Sequence, residues 1–138
     1  MICIIKEAIM SRHVEACHSC VTSCQTCHES CKNNTYTNKA SSTDQRHSIS
    51  KMKACIRDCK ECISACNEHM SACSDEKCIN ACKECVKACE QCIKACEQCS
   101  TECTTSGAAC TTACNRCIKA CDECIKACKR CISSSCCE

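Results

Sequence analysis

The sequence predicts an all-α protein, an antiparallel up-down-up-down four-helix bundle with a cysteine-lined core. Three observations predict it. Cysteine occurs 28 times in 138 residues, mostly at alternating steps of four and three. The mean step of 3.5 keeps a side chain on one face of a helix with 3.6 residues per turn. The periodic segments hold no proline and are broken in three places, and short breaks make consecutive helices antiparallel neighbours.

The first helix is expected over about residues 3–32. Its stripe runs Cys3, Lys6, Met10, His13, Cys17, Cys20, Cys24, Cys27 and Cys31. A polar loop, 33–43, follows; its asparagines, serines and threonines favour irregular backbone. The second helix, about 44–72, carries Met52, Cys55, Cys59, Cys62, Cys66 and His69, with Cys73 just beyond. Ser74 then reads as an N-cap with Asp75 and Glu76 in the first turn, favourable against the helix dipole. The third helix, about 75–103, holds Cys78, Cys82, Cys85, Cys89, Cys92, Cys96, Cys99 and Cys103, and Thr104–Gly107 ends it. The fourth, about 107–132, holds Cys110, Cys114, Cys117, Cys121, Cys124, Cys128 and Cys131. Residues 1–138 are expected to form a single domain. A heptad, Cys-(Ile/Val)-Lys-Ala-Cys, recurs at 85, 92, 117 and 124, placing Ile or Val and Ala beside the stripe to pack helix on helix.

Composition says what the core lacks. There is no Trp or Phe, one Tyr and one Gly. Burial at roughly 25 cal/mol per Å² therefore contributes little from large apolar side chains, and bound metal is the expected supplement, because metal binding adds to folding free energy. The formal charge is +2, with Lys and Glu interspersed; no basic block or aromatic platform suggests a nucleic-acid partner. Lys6 and Glu7 interrupt the N-terminal apolar run too early for a signal-peptide core, and no stretch is long enough to span a membrane. A cytoplasmic setting is expected, where thiols stay reduced; that argues against a disulfide scaffold.

Nine Cys-x-x-Cys pairs lie in register. Helical residues three or four apart have Cβ atoms about 5–6 Å apart, and two sulfurs on one ion lie within about 4.6 Å at a bond of roughly 2.3 Å. Neighbouring cysteines can clamp an ion, and a facing helix can add a third sulfur. Low-coordinate thiolate sites select soft ions, Cu(I) above all, whereas Zn²⁺ takes discrete tetrahedral sets. Ionising so many buried thiols also requires cations to neutralise them.

On these stripes, which cover all four helices, the chain resembles the four-helix-bundle copper storage proteins. The resemblance implies a tube of antiparallel helices filled with several Cu(I)–thiolate sites, a homotetramer, a copper store without catalytic activity, and a copper chaperone as partner; the absence of an export signal points to the cytosolic branch. The chain is more cysteine-rich than that family leads one to expect, and its first helix departs by placing Lys6, Met10 and His13 on the stripe.

The bundle topology puts Met10, His13, His69, Met70, Cys73, Cys78, Cys131, Cys136 and Cys137 at one end. Thioether and imidazole bind Cu(I) without first losing a thiol proton, which suits a copper transfer mouth, and Lys6 suggests that this end is open. Met52 reads as packing at the opposite end, and His18, His28 and His47 as surface residues. A metallothionein-like zinc or cadmium buffer is the alternative, although metallothioneins lack long helical periodicity. An iron–sulfur carrier would need the Cys-x-x-Cys-x-x-Cys run with its Cys-Pro. A thiol–disulfide enzyme would need its thiol beside a strand.

Overall fold

The computed structural model describes residues 2–36, 42–102 and 107–134, with the side chains of 5, 7–33, 48–102 and 111–134. It contains four helices, α1 (Ile2–Tyr36), α2 (Ser42–Ala72), α3 (Glu76–Glu102) and α4 (Gly107–Ser133). The backbones approach one another around the ring α1–α2–α3–α4–α1. Diagonal helices meet through side chains, as where Cys20 of α1 reaches Cys89 of α3 at 3.9 Å.

Sulfur contacts fix the direction of each helix. Going up α1, Cys17, Cys20 and Cys24 meet Cys62, Cys59 and Cys55 in descending order. Along α3, Cys82, Cys85, Cys89, Cys92, Cys96 and Cys99 meet Cys131, Cys128, Cys124, Cys121, Cys117 and Cys114. Across the diagonal, Cys20, Cys24 and Cys27 rise with Cys89, Cys92 and Cys96. The bundle is up-down-up-down.

Two helix ends differ from expectation. The loop expected over 33–43 is shorter at both sides, because α1 continues to Tyr36 and α2 begins at Ser42. Asn and Thr cost a helix only a few tenths of a kcal/mol each relative to better formers, and neither Gly nor Pro stands there to stop it. The cap of α3 is Asp75 rather than Ser74: its Oδ1 accepts the Lys77 N–H at 3.1 Å, and its carbonyl accepts the first helical bond from Ile79 at 3.0 Å.

Ala16, Ser23, Asp58 and Ala65 line the α1–α2 seam, where the Ser23 hydroxyl donates to Asp58. Ala88 and Ala127 share a surface groove between α3 and α4. The next heptad position carries Ile56, Ile63 and Met70 on α2, Val86 and Ile93 on α3, and Ile118, Ile125 and Ile132 on α4, all partly buried against the core. Arg12 bridges Glu61 and Glu68 at 2.8 and 2.6 Å across the outside of the α1–α2 seam. Such exposed pairs add little stability. Among the described residues, Ile5 is the one large apolar side chain left exposed, and no helix is long and apolar enough to cross a membrane.

Candidate metal centre

Antiparallel register turns the four stripes into stacked rings, one residue per helix. Starting from the histidine end, the first ring is His13, Cys66, Cys82 and Cys131. The next three are all cysteine: Cys17, Cys62, Cys85 and Cys128, then Cys20, Cys59, Cys89 and Cys124, then Cys24, Cys55, Cys92 and Cys121. The fifth is Cys27, Met52, Cys96 and Cys117, and the sixth is Cys31, Ser48, Cys99 and Cys114. Every one of these side chains is buried. Two rings per heptad at 1.5 Å per residue put successive rings about 5 Å apart.

The sulfurs touch throughout. Sγ···Sγ distances run from 3.4 Å for Cys99–Cys114 to 3.9 Å for Cys62–Cys128. Buried sets whose ligand atoms all lie within 4.8 Å of one another include Cys24, Cys55, Cys92 and Cys121; Cys20, Cys24, Cys59 and Cys124; and Cys20, Cys62, Cys89 and Cys128. These sets overlap, with Cys20 and Cys24 each belonging to two. Neighbouring ions in such an array would share sulfurs.

Proton distribution follows from the hydrogen bonds among the thiols, with burial behind them, and Cys62 and Cys92 are lowered by such bonds. Cys59 and Cys89 are pushed far above the usual thiol range, first by hydrogen bonds with Cys124 and then by loss of solvent. Cys121 is pushed up in the same way by Cys117. An apolar interior disfavours a thiolate unless a cation accompanies it. Cations are therefore what this core lacks when its thiols ionise.

The histidine end supplies one such cation itself. His13 Nε2 lies 3.1 Å from Cys131 Sγ and 3.6 Å from those of Cys17 and Cys82. Burial works against a charged ring, but Cys131 and Cys82 outweigh it and raise His13 to about 10. Hydrogen bonds from Cys17, Cys66 and Cys82 hold Cys131 down at about 3. The contact thus favours the charged ring and the ionised thiol. His69 stacks on His13 with ring centroids 4.3 Å apart and planes 16° from parallel, and its Nε2 lies 2.9 Å from Cys78 Sγ. Burial, then the charge on His13, keeps the His69 pKa low. His13 Nδ1 is buried with no hydrogen-bond partner among the described residues. Such an orphan costs about 1–3 kcal/mol, and a metal ion would satisfy it once the ring gives up the proton at that nitrogen.

Comparison with protein-family models, curated proteins and solved structures finds no match. What the chain can do must be read from the rings themselves.

The described stripe cysteines expected as ligands are buried and face the core, apart from Cys73. That thiol is half-buried in the α2–α3 connection, where its sulfur accepts the Asp75 N–H at 3.4 Å. His13 and His69 come together with Cys78, Cys82 and Cys131 as the bundle topology requires. The end is not open at this level, because the two stacked rings are 0% and 1% exposed and plug it. Met10 is half-buried beside a shallow groove with Glu7, Ser11, Val14 and Glu15, and Met70 packs partly against the core. His18 is exposed, and His28 pairs with Asp122 at 3.3 Å. The side chains of Cys3, Lys6, His47, Cys103, Cys110, Cys136 and Cys137 lie outside the described residues. The stripes miss Ser48, which closes the sixth ring, and the link from His13 to Cys82, because both depend on register between helices.

Proposed function

We propose that the protein stores copper, holding many Cu(I) ions on cysteine thiolates inside the bundle. The observation that carries the reading is the overlap of the four-ligand sets along one buried axis. Bridged, monovalent ions suit it. One Cu(I) per thiolate leaves the core neutral, whereas one divalent ion per four-thiolate ring leaves two negative charges in every ring, stacked about 5 Å apart. No catalytic step is proposed.

His13, with His69 and Cys78 behind it, is the transfer point. The His13–Cys131 pair offers a thiolate already free of its proton and an imidazole nitrogen, and copper arriving there displaces one proton from the ring nitrogen. A copper chaperone delivering to this end, a cytoplasmic setting and a homotetramer complete the proposal, on the strength of the resemblance to copper storage proteins.

One observation favours a second reading. The sulfur spacings of 3.5, 3.7, 3.8 and 3.9 Å in the Cys24, Cys55, Cys92 and Cys121 ring approach the roughly 3.8 Å edge of a tetrahedral Zn–S₄ site. A zinc or cadmium buffer would use that geometry without widening the core. Anaerobic competition of Cu(I) and Zn²⁺ against chelators of known affinity separates the two. Storage of copper requires that Cu(I) displace Zn²⁺ and fill sites well beyond one per ring; retention of Zn²⁺ at one per ring sinks it.

A further inference from the structure

Met52 reads as packing in the sequence, and a buried methionine is ordinarily a flexible gap-filler. Its surroundings point elsewhere. Cys27, Cys96 and Cys117 close a triangle with sides of 3.8, 3.6 and 3.6 Å. The point equidistant from those sulfurs is about 2.1 Å from each, close to the metal–thiolate bond of roughly 2.3 Å. An ion bonded to all three either spreads them slightly or sits somewhat out of their plane. Displacement from the plane makes room for one more, axial ligand. Register places Met52, fully buried, at the fourth corner of this same ring.

A second departure from the repeat accompanies the methionine. The corresponding heptad positions of α3 are Ile79, Val86 and Ile93, but the next is Ser100. Its hydroxyl lies 3.3 Å from Met52 Sδ and 2.9 Å from the Cys96 carbonyl oxygen. The one hydroxyl proton is shared between the Cys96 carbonyl and the thioether, so the Met52 sulfur is contacted at 3.3 Å and keeps lone-pair density for a metal.

We propose that the fifth ring is a metal site of its own kind, three thiolates from Cys27, Cys96 and Cys117 with the Met52 thioether as fourth ligand. It rests on the copper-storage reading and takes the same class of cargo, soft thiophilic ions that share these thiolates with the neighbouring rings. Its ligand set differs from the all-cysteine rings in carrying one less negative charge and one less proton to lose. The bundle then has a mixed-ligand ring at each end of the three all-cysteine rings, imidazole at one end and thioether at the other.

The test uses the full chain made with selenomethionine and carrying Met10→Leu and Met70→Leu, loaded anaerobically with Cu(I). X-ray absorption is read at the copper and selenium edges. The expected result is a selenium–copper shell at bonding distance that disappears when Met52→Leu, a swap of similar volume, is added. Copper bound by sulfur with selenium surrounded only by carbon overturns the Met52 assignment and leaves storage standing. A selenium–copper shell that survives Met52→Leu overturns it too. Failure to bind Cu(I) at all overturns both.

Discussion

Replacing one whole all-cysteine ring separates the metal-binding role of the thiols from their packing role. In Cys20→Val, Cys59→Val, Cys89→Val and Cys124→Val combined, the ring loses every ligand but keeps its bulk, since valine restores the side chain an ordinary bundle would use. The four sulfurs touch at 3.6–3.9 Å, so all four changes fall in one layer. Four of the 28 thiols are removed. At about one copper per two thiolates to one per thiolate, capacity falls by roughly two to four ions. Each added methylene gains about 0.8 kcal/mol on burial, against an overpacking cost of about 1–3 kcal/mol for the layer, so the apo bundle stays about as stable as the parent. Anaerobic Cu(I) titration with metal analysis gives the capacity, and thermal circular dichroism checks the fold. Unchanged capacity in a folded variant would refute a thiol-lined metal core.

Other consequences follow from the same geometry. His13→Leu with His69→Leu keeps the plug and removes the ligand nitrogens; copper uptake in stopped-flow experiments should slow while total capacity stays nearly constant, and a large loss of capacity at normal rates would contradict the transfer role. The apo bundle should lose stability above about pH 9. There the unfolded chain releases thiol protons that Cys59, Cys89 and Cys121 retain when folded. The unfolded state then binds fewer protons, and stability falls with rising pH by up to about 1.4 kcal/mol per pH unit for each such thiol; urea melts between pH 8 and 10 measure it. Saturating Cu(I) should raise the melting temperature strongly, because a ligand at 1,000 times its dissociation constant adds about 4 kcal/mol per site, and a chelator should reverse the shift.

Much of the fold is legible in the sequence because the period of the cysteines is the period of the helix. Cys78 to Cys99 keep one phase for three heptads, so their common burial follows from spacing alone. The positions that escaped are those set by more than one helix. Met52 looks like filler within α2 and becomes a ring member only when Cys27, Cys96 and Cys117 surround it. Ser48 carries no signal until the α1–α2 register is known. The topology gathers His13 and His69 at one end, but the parallel stacking of their rings depends on side-chain angles that spacing does not encode. Tyr36 lies in α1 because a polar segment without Gly or Pro can be a helical turn as readily as a loop.

The measurement closest to the central claim is an anaerobic Cu(I) titration of the reduced chain in competition with Zn²⁺, with bound metal counted and helicity followed together. Copper storage predicts that Cu(I) displaces Zn²⁺, binds at more than ten ions per chain with helicity retained, and leaves no free thiol in the core. Uptake of only a few ions, or Zn²⁺ held against Cu(I) at one per ring, would contradict it.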